Sequence, residues 1–163
     1  VTGDDVRAAV AAARGLLGRV GDGAAEVPAL GTSVAGVVAH VAGSLAWYAH
    51  DLVAGPAEVS AADQVRRPGA DLPTLVADLG AWGEVLARVV DASPPDERGW
   101  HPDGRPDASG FAAMGCAEAL LHAHDVAVAL ALHWSPPTGP AAATLARLFP
   151  RSRRPAGTAP TGW

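Results

Sequence analysis

The sequence predicts an all-α protein built as a four-helix bundle, and three observations predict it. Four stretches are long and apolar enough for long helices, no alternating strand pattern of any length appears, and two long connections separate helices. With 163 residues the chain is about one domain's worth. Residues 1–150 are read as a single bundle domain and residues 151–163 as a loosely held tail rich in Arg, Pro and Gly.

The first helix, Asp4 to Val20, carries Val6, Val10, Ala13, Leu17 and Val20 at steps of three and four, with acidic residues in its first turn and Gly21 just past its end. Gly21 to Gly31 reads as a loop because Gly-Asp-Gly and Val-Pro punctuate it. Thr32 or Ser33 can cap a second helix, which runs to about Val53 and stops at Gly55-Pro56. Its apolar residues wrap most of the way round, so it belongs at the centre. Ala54 to Ala70 lacks periodicity and reads as a long crossover. Asp71 as cap and Pro73 in the first turn open a third helix through Leu75, Leu79, Trp82, Leu86 and Val89. Glu84 and Arg88, four residues apart on it, read as a solvated surface pair. Ser93 to Ser109 holds Pro94, Pro95, Pro102 and Pro106 and makes a second long loop. Asp107 or Ser109 caps the fourth helix, which is expected to run until just before Ser135-Pro136-Pro137, and a short fifth helix spans about Pro140 to Leu148.

The net charge of −5, with no basic cluster longer than Arg151 to Arg154, argues against nucleic acid and anionic membrane surfaces as partners. A small-molecule substrate, or a second copy of the chain in a homodimer, fits better. All twelve basic residues are Arg, and Ala, Gly, Val and Pro dominate, a bias expected of a GC-rich, actinobacterial genome. Cys116 stands alone, which excludes an internal disulfide and fits a reducing compartment. Asp4, Asp5 and Arg7 occupy the place of a signal peptide's apolar core, and the two most apolar runs both contain histidine. The expectation is a soluble cytoplasmic protein.

The apolar run Phe111 to Trp134 is interrupted by Glu118, His122, His124 and Asp125. Burying such groups costs several kcal/mol unless they are paired or bound to something. Because each helical residue advances about 100°, Glu118, His122 and Asp125 share a stripe roughly 60° wide, whereas His124 lies about 200° from His122. His124 and His133 are therefore read as surface or packing residues. A carboxylate and an imidazole one turn apart suit a divalent metal. The best third ligand is His40, in the middle of the second helix among Val37, Val38, Val41 and Ala42, although a satisfied core histidine is the alternative. Three ligands from facing helices leave open positions for water or substrate. Asp125 could accept a hydrogen bond from an imidazole nitrogen and orient it, or reach a neighbouring element instead. Cys116, about 200° from Glu118, reads as an inert core thiol, with a nucleophile or ligand as the lesser alternative.

At these residues the chain resembles the DinB/YfiT-like metalloenzyme superfamily, and within it the mycothiol-dependent maleylpyruvate isomerase N-terminal domain family. The resemblance rests on Ser33-Val-Ala-Gly-Val-Val-Ala-His40-Val-Ala, similar to the family's T-V-x-D-V-x-A-H-L helix, and on Glu118-Ala-Leu-Leu-His122-Ala-His-Asp125, similar to its E-x-x-x-H-x-x-D segment. It covers nearly the whole chain. It implies an up-down-down-up bundle with the crossover at Ala54 to Ala70, and a divalent ion, commonly zinc, held by His40, Glu118 and His122. It further implies mycothiol as a thiol cosubstrate at this ion, where a bound thiol would be deprotonated at neutral pH and so act as a nucleophile. In the family's isomerase that thiolate adds to the activated double bond, the resulting single bond rotates, and elimination restores the trans alkene; other members use the same arrangement for thiol transfer.

The chain departs from the family where Gly31-Thr-Ser33 replaces the usual G-W-T, and where it stops soon after the fifth helix while the family's isomerase continues into a further domain. Its closing Leu148-Phe-Pro150 is similar to the end of single-domain members. Substrate or cofactor contacts are expected from Ser44 and Trp47, which share His40's stripe, although Trp47 equally fits core packing. Trp100 and the adjacent His101, in the proline-rich loop, could meet substrate, His101 as acid or base; an ordinary surface histidine is the alternative. Arg66 and Arg67 on the crossover could meet a carboxylate or a thiol-cofactor headgroup, or form a solvated pair. Three functions compete: a metal- and thiol-dependent transferase or isomerase, a thiol-independent metalloenzyme such as a hydrolase, lyase or cyclase using bound water, and a non-catalytic small-molecule-binding bundle.

Overall fold

Thr2 opens the first helix, α1 (Gly3–Leu17), through a reciprocal cap: its hydroxyl accepts from the Asp5 N–H, and the Asp5 carboxylate accepts from the Thr2 N–H at 2.9 Å. This is a computed structural model, and it describes residues 1–150, so the tail expected at 151–163 lies outside the described residues. The connection after α1 holds a small hairpin that the absence of any strand pattern did not anticipate. In it β1 (Glu26–Val27) pairs antiparallel with β2 (Thr32–Ser33) around a 3-10 turn at Pro28–Leu30. Val27 is fully buried and anchors it, and Gly31 closes it at φ 62°, a conformation that favours glycine.

The hairpin also starts α2 (Val34–Ala54). The first N–H groups of a helix lack internal partners, and here the Ala25 and Gly23 carbonyls accept from Val34 and Ala35, both at 2.9 Å, while the Ser33 hydroxyl accepts from Gly36. A crossover follows, and Asp71 caps α3 (Leu72–Ala92) by accepting from the Thr74 N–H at 2.9 Å. Asp107 does the same for α4 (Ala108–Ala129), accepting from Gly110 at 2.8 Å. The fourth helix ends at Ala129, short of the expected boundary before Ser135. Leu130 and Leu132 turn their N–H groups back to the Val126 and Ala127 carbonyls, with Ala131 left-handed at φ 51° between them. His133 and Trp134 thus sit in the connection to α5 (Thr138–Leu148).

Contacts between helix ends give the directions. The Gly3 N–H at the head of α1 meets Asp91 at the foot of α3, so these two run antiparallel. Ala13 and Leu17 of α1 share a void with Ala119 and Ala123 of α4, and Val1 meets Ser109, so α1 and α4 run parallel. Tyr48 of α2 lies against Phe111 of α4 while His40, two turns earlier, lies by Glu118, which makes α2 antiparallel to α4. The result is up, down, down, up, in the ring order α1, α3, α2, α4. The core between them is mostly aliphatic, with Leu16, Leu45, Leu52, Leu79 and Leu86 fully buried together with the ring of Phe111.

The rim of α1 and α3 is tied by charge. The solvated pair expected of Glu84 and Arg88 exists at 2.7 Å, but Glu84 is shared: Arg7 of α1 donates to it at 2.9 Å and to Asp91 at 2.9 Å. No described helix is long and apolar enough to cross a membrane.

Candidate metal centre

Glu118 is the pivot. One turn of α4 brings His122 Nε2 to 3.3 Å from Glu118 Oε2, and α2 brings His40 Nε2 to 3.4 Å from the same oxygen. The two imidazole rings meet edge to face, centroids 5.2 Å apart. One ligand atom from each of the three residues lies within 4.8 Å of the others, a span a single ion can bridge.

The electrostatics fit a cation. Glu118 Oε2 is buried yet makes no hydrogen bond of proper geometry, since neither imidazole nitrogen aligns with it at those distances. An orphaned carboxylate oxygen facing two imidazole nitrogens is the donor set a divalent ion satisfies. Burial opposes the charge on Glu118, but His122, His40 and Tyr48 together outweigh it and hold its pKa below the usual value. His122 is raised above its ordinary value chiefly by Glu118, against the effect of burial, with a further contribution from Asp125. Asp125 sits where the helical spacing put it: its carboxylate meets His122 Nδ1 at 3.4 Å, which leaves Nε2 as the nitrogen facing Glu118.

Exposure makes the site open on one side. The His122 and Glu118 side chains are 20 % and 23 % exposed, but His40 is 61 % exposed and forms the rim. It is neither a buried core residue nor shielded by the valines around it.

The structure also brings in a residue that helical spacing alone did not select. Tyr48 of α2 directs its hydroxyl to Glu118 Oε1 at 3.4 Å, and burial, followed by the Glu118 charge, pushes its pKa upward. His101 is its neighbour, ring centroids 6.2 Å apart. The Asp103 N–H donates to His101 Nδ1 at 3.2 Å, so a neutral His101 carries its proton on Nε2. Trp100 is tied by its backbone N–H to the Gly55 carbonyl at 2.9 Å, anchoring the loop on the end of α2.

The remaining residues expected to contact substrate make no hydrogen bond, ion pair or ring contact with His40, Glu118 or His122. Trp47 lines a cavity between α2, α3 and the crossover, together with Trp82. Arg66 and Arg67 are exposed on the crossover and line a neighbouring groove with Gly43 and Asp78; Arg66 donates to the Ala70 carbonyl. Ser44 is half-buried on α2, and His124 and His133 are exposed. Cys116 is fully buried, and burial pushes its thiol up to about 11, as an inert core thiol requires.

Fold and donor set place this chain in the class of helical bundles whose second and fourth helices converge on a two-histidine, one-carboxylate site. More narrowly, it belongs to the mycothiol maleylpyruvate isomerase N-terminal domain family, whose model matches residues 5–127. No curated protein and no solved structure matches the chain.

Proposed function

We propose that this protein is a divalent-metal-dependent, thiol-dependent transferase or isomerase acting on a small electrophile, with zinc as the ion and mycothiol as the thiol. The observation that carries the reading is the orphaned, buried Glu118 Oε2 facing the Nε2 atoms of His40 and His122 at 3.4 and 3.3 Å. Family membership supports the thiol. When bound there, a divalent ion keeps a coordinated thiol deprotonated at neutral pH.

The chain's own groups do the rest. Asp125 holds the His122 ring so that Nε2 faces the site, and Tyr48 holds the second carboxylate oxygen, so the donor set is preorganised from both helices. The exposed edge at His40 admits a cosubstrate from solvent. His101, beside Tyr48 and with its proton on Nε2, is the group suited to donate a proton or hydrogen bond to the electrophile.

Metal analysis of protein purified without chelators, paired with the Glu118→Ala variant, tests the reading. About one divalent ion per chain is expected in the wild type, as one three-ligand site requires, and loss of that ion in the variant. Unchanged metal content in Glu118→Ala would sink the site. Turnover of a maleyl-type alkene or a halogenated electrophile should then require added thiol; thiol-independent turnover would overturn the thiol assignment while leaving the metal.

A further inference from the structure

A second polar cluster stands apart from the metal ligands. Asp51, near the end of α2, is 5 % exposed, one of few buried charged or polar residues among those described. His50 Nδ1 and the Ser60 hydroxyl both meet its Oδ1 at 2.9 Å. A buried carboxylate only accepts, so the proton between Asp51 and His50 lies on Nδ1. That fixes the tautomer: in the neutral ring Nε2 is an acceptor, and among the described residues it has no partner. Ser60 is no nucleophile here, because its hydroxyl donates to the carboxylate and lies 3.3 Å from Nδ1, whereas a hydrolytic serine must face the opposite nitrogen.

His50 and Ser60 line a cavity of about 690 Å³ bounded by α2, α3 and the crossover. Gln64 adds one further polar side chain, and the remaining walls are apolar, with Trp47, Val53, Trp82 and Val85 among them. That volume is in the range of small-molecule sites, which pair apolar walls with a few fixed polar groups. Here the two indoles supply flat apolar surface and His50 supplies an acceptor held by a buried carboxylate. Metal ligands do not line it.

We propose that this cavity binds a hydroxylated aromatic small molecule, its ring against Trp47 and Trp82 and its hydroxyl donating to His50 Nε2. The site is separate from the metal centre, and its occupancy does not depend on metal.

Calorimetric titration of the full chain with 2-naphthol and with 2-methoxynaphthalene, which keeps the ring but lacks the donor, tests this. The naphthol is expected to bind about three- to tenfold more tightly, the net worth of one hydrogen bond to a half-exposed acceptor that water otherwise reaches. His50→Ala should erase that difference while leaving the methoxy compound's affinity unchanged. Val85→Trp, at a half-exposed wall position that leaves the core intact, should weaken both. Treatment with a chelator should change neither. Equal affinity for the two probes, no binding of either, an unaltered preference in His50→Ala, or loss of binding on chelation would each overturn the proposal; the last would place the ligand at the metal.

Discussion

Tyr48 completes the candidate site without being one of its three candidate ligands. Its hydroxyl holds Glu118 Oε1, the oxygen that does not face the imidazoles, and so fixes the carboxylate's rotation. Partners of this kind typically change metal affinity 10–100-fold, so Tyr48→Phe is expected to weaken zinc binding about tenfold in a competition titration against a chromophoric chelator, with stoichiometry unchanged at saturation. Unaltered affinity would mean that the carboxylate is held by the histidines alone. Glu118, His122 and Asp125 were legible because they lie on one helix, where spacing alone fixes which side chains share a face. Tyr48 was not, because α2 is apolar nearly all round and its rotation is set by its neighbours. Reading its inward stripe through His40 selects Ser44 and Trp47; the packed stripe runs instead through Val41, Leu45, Tyr48 and Leu52, leaving His40 on the rim. One signal was available: Tyr48 is the chain's single tyrosine, placed one helical repeat of seven beyond Val41.

Among the elements, the loop before α4 is what brings His101 to Tyr48, and its seat depends on Gly99. A Cβ at Gly99 would lie 2.6 Å from the Asp51 carbonyl oxygen and 2.7 Å from Leu52 Cα, both backbone atoms of α2, and 2.5 Å from the Phe111 ring. Backbone cannot yield as a side-chain tip can. Gly99→Ala is therefore expected to cost about 1–3 kcal/mol, the usual range for overpacking, measured by urea denaturation with an unchanged slope. The displaced loop should also lower turnover more than metal content, because His101 moves and the three ligands do not. A variant as stable as the wild type would show that the loop is not seated on α2. Helix starts were legible from single residues, since Ser33, Asp71 and Asp107 cap as their side chains dictate. The end of α4 was not, because Ala131 adopts a left-handed conformation that residue type alone does not announce. Nor was the hairpin, whose two-residue strands are too short to show alternation.

At the scale of the whole molecule, two sets of cross-links join helices distant in sequence, and they respond to different variables. The first is the charge cluster between α1 and α3, where Arg7 and Arg88 hold the Glu84 carboxyl down to about 2. A depressed carboxylate contributes stability that is complete above its unfolded value of about 4.5 and is lost as pH falls toward about 2. The Tm of Glu84→Gln should therefore lie below that of the wild type at pH 7, with the gap narrowing through that acid window and in high salt; a gap independent of pH would assign the loss to packing. The second is the candidate metal centre, where an ion would join His40 of α2 to Glu118 and His122 of α4. Unfolding separates these helices, and because an unfolded chain presents no such preformed set, an ion that binds the folded form stabilises it by mass action. At one hundred times the dissociation constant that is about 2.7 kcal/mol. For a domain of this size the shift is roughly 5–11 °C in Tm. Zinc is expected to raise the Tm of the wild type by this order and to leave that of His40→Ala nearly unmoved. His40→Ala should itself match the metal-free wild type in Tm, because an exposed rim imidazole contributes little to packing, so ligand loss and misfolding are separable in one scan. A zinc-induced rise that persists in His40→Ala would place the ion elsewhere on the protein and leave Glu118 Oε2 without the partner assigned to it.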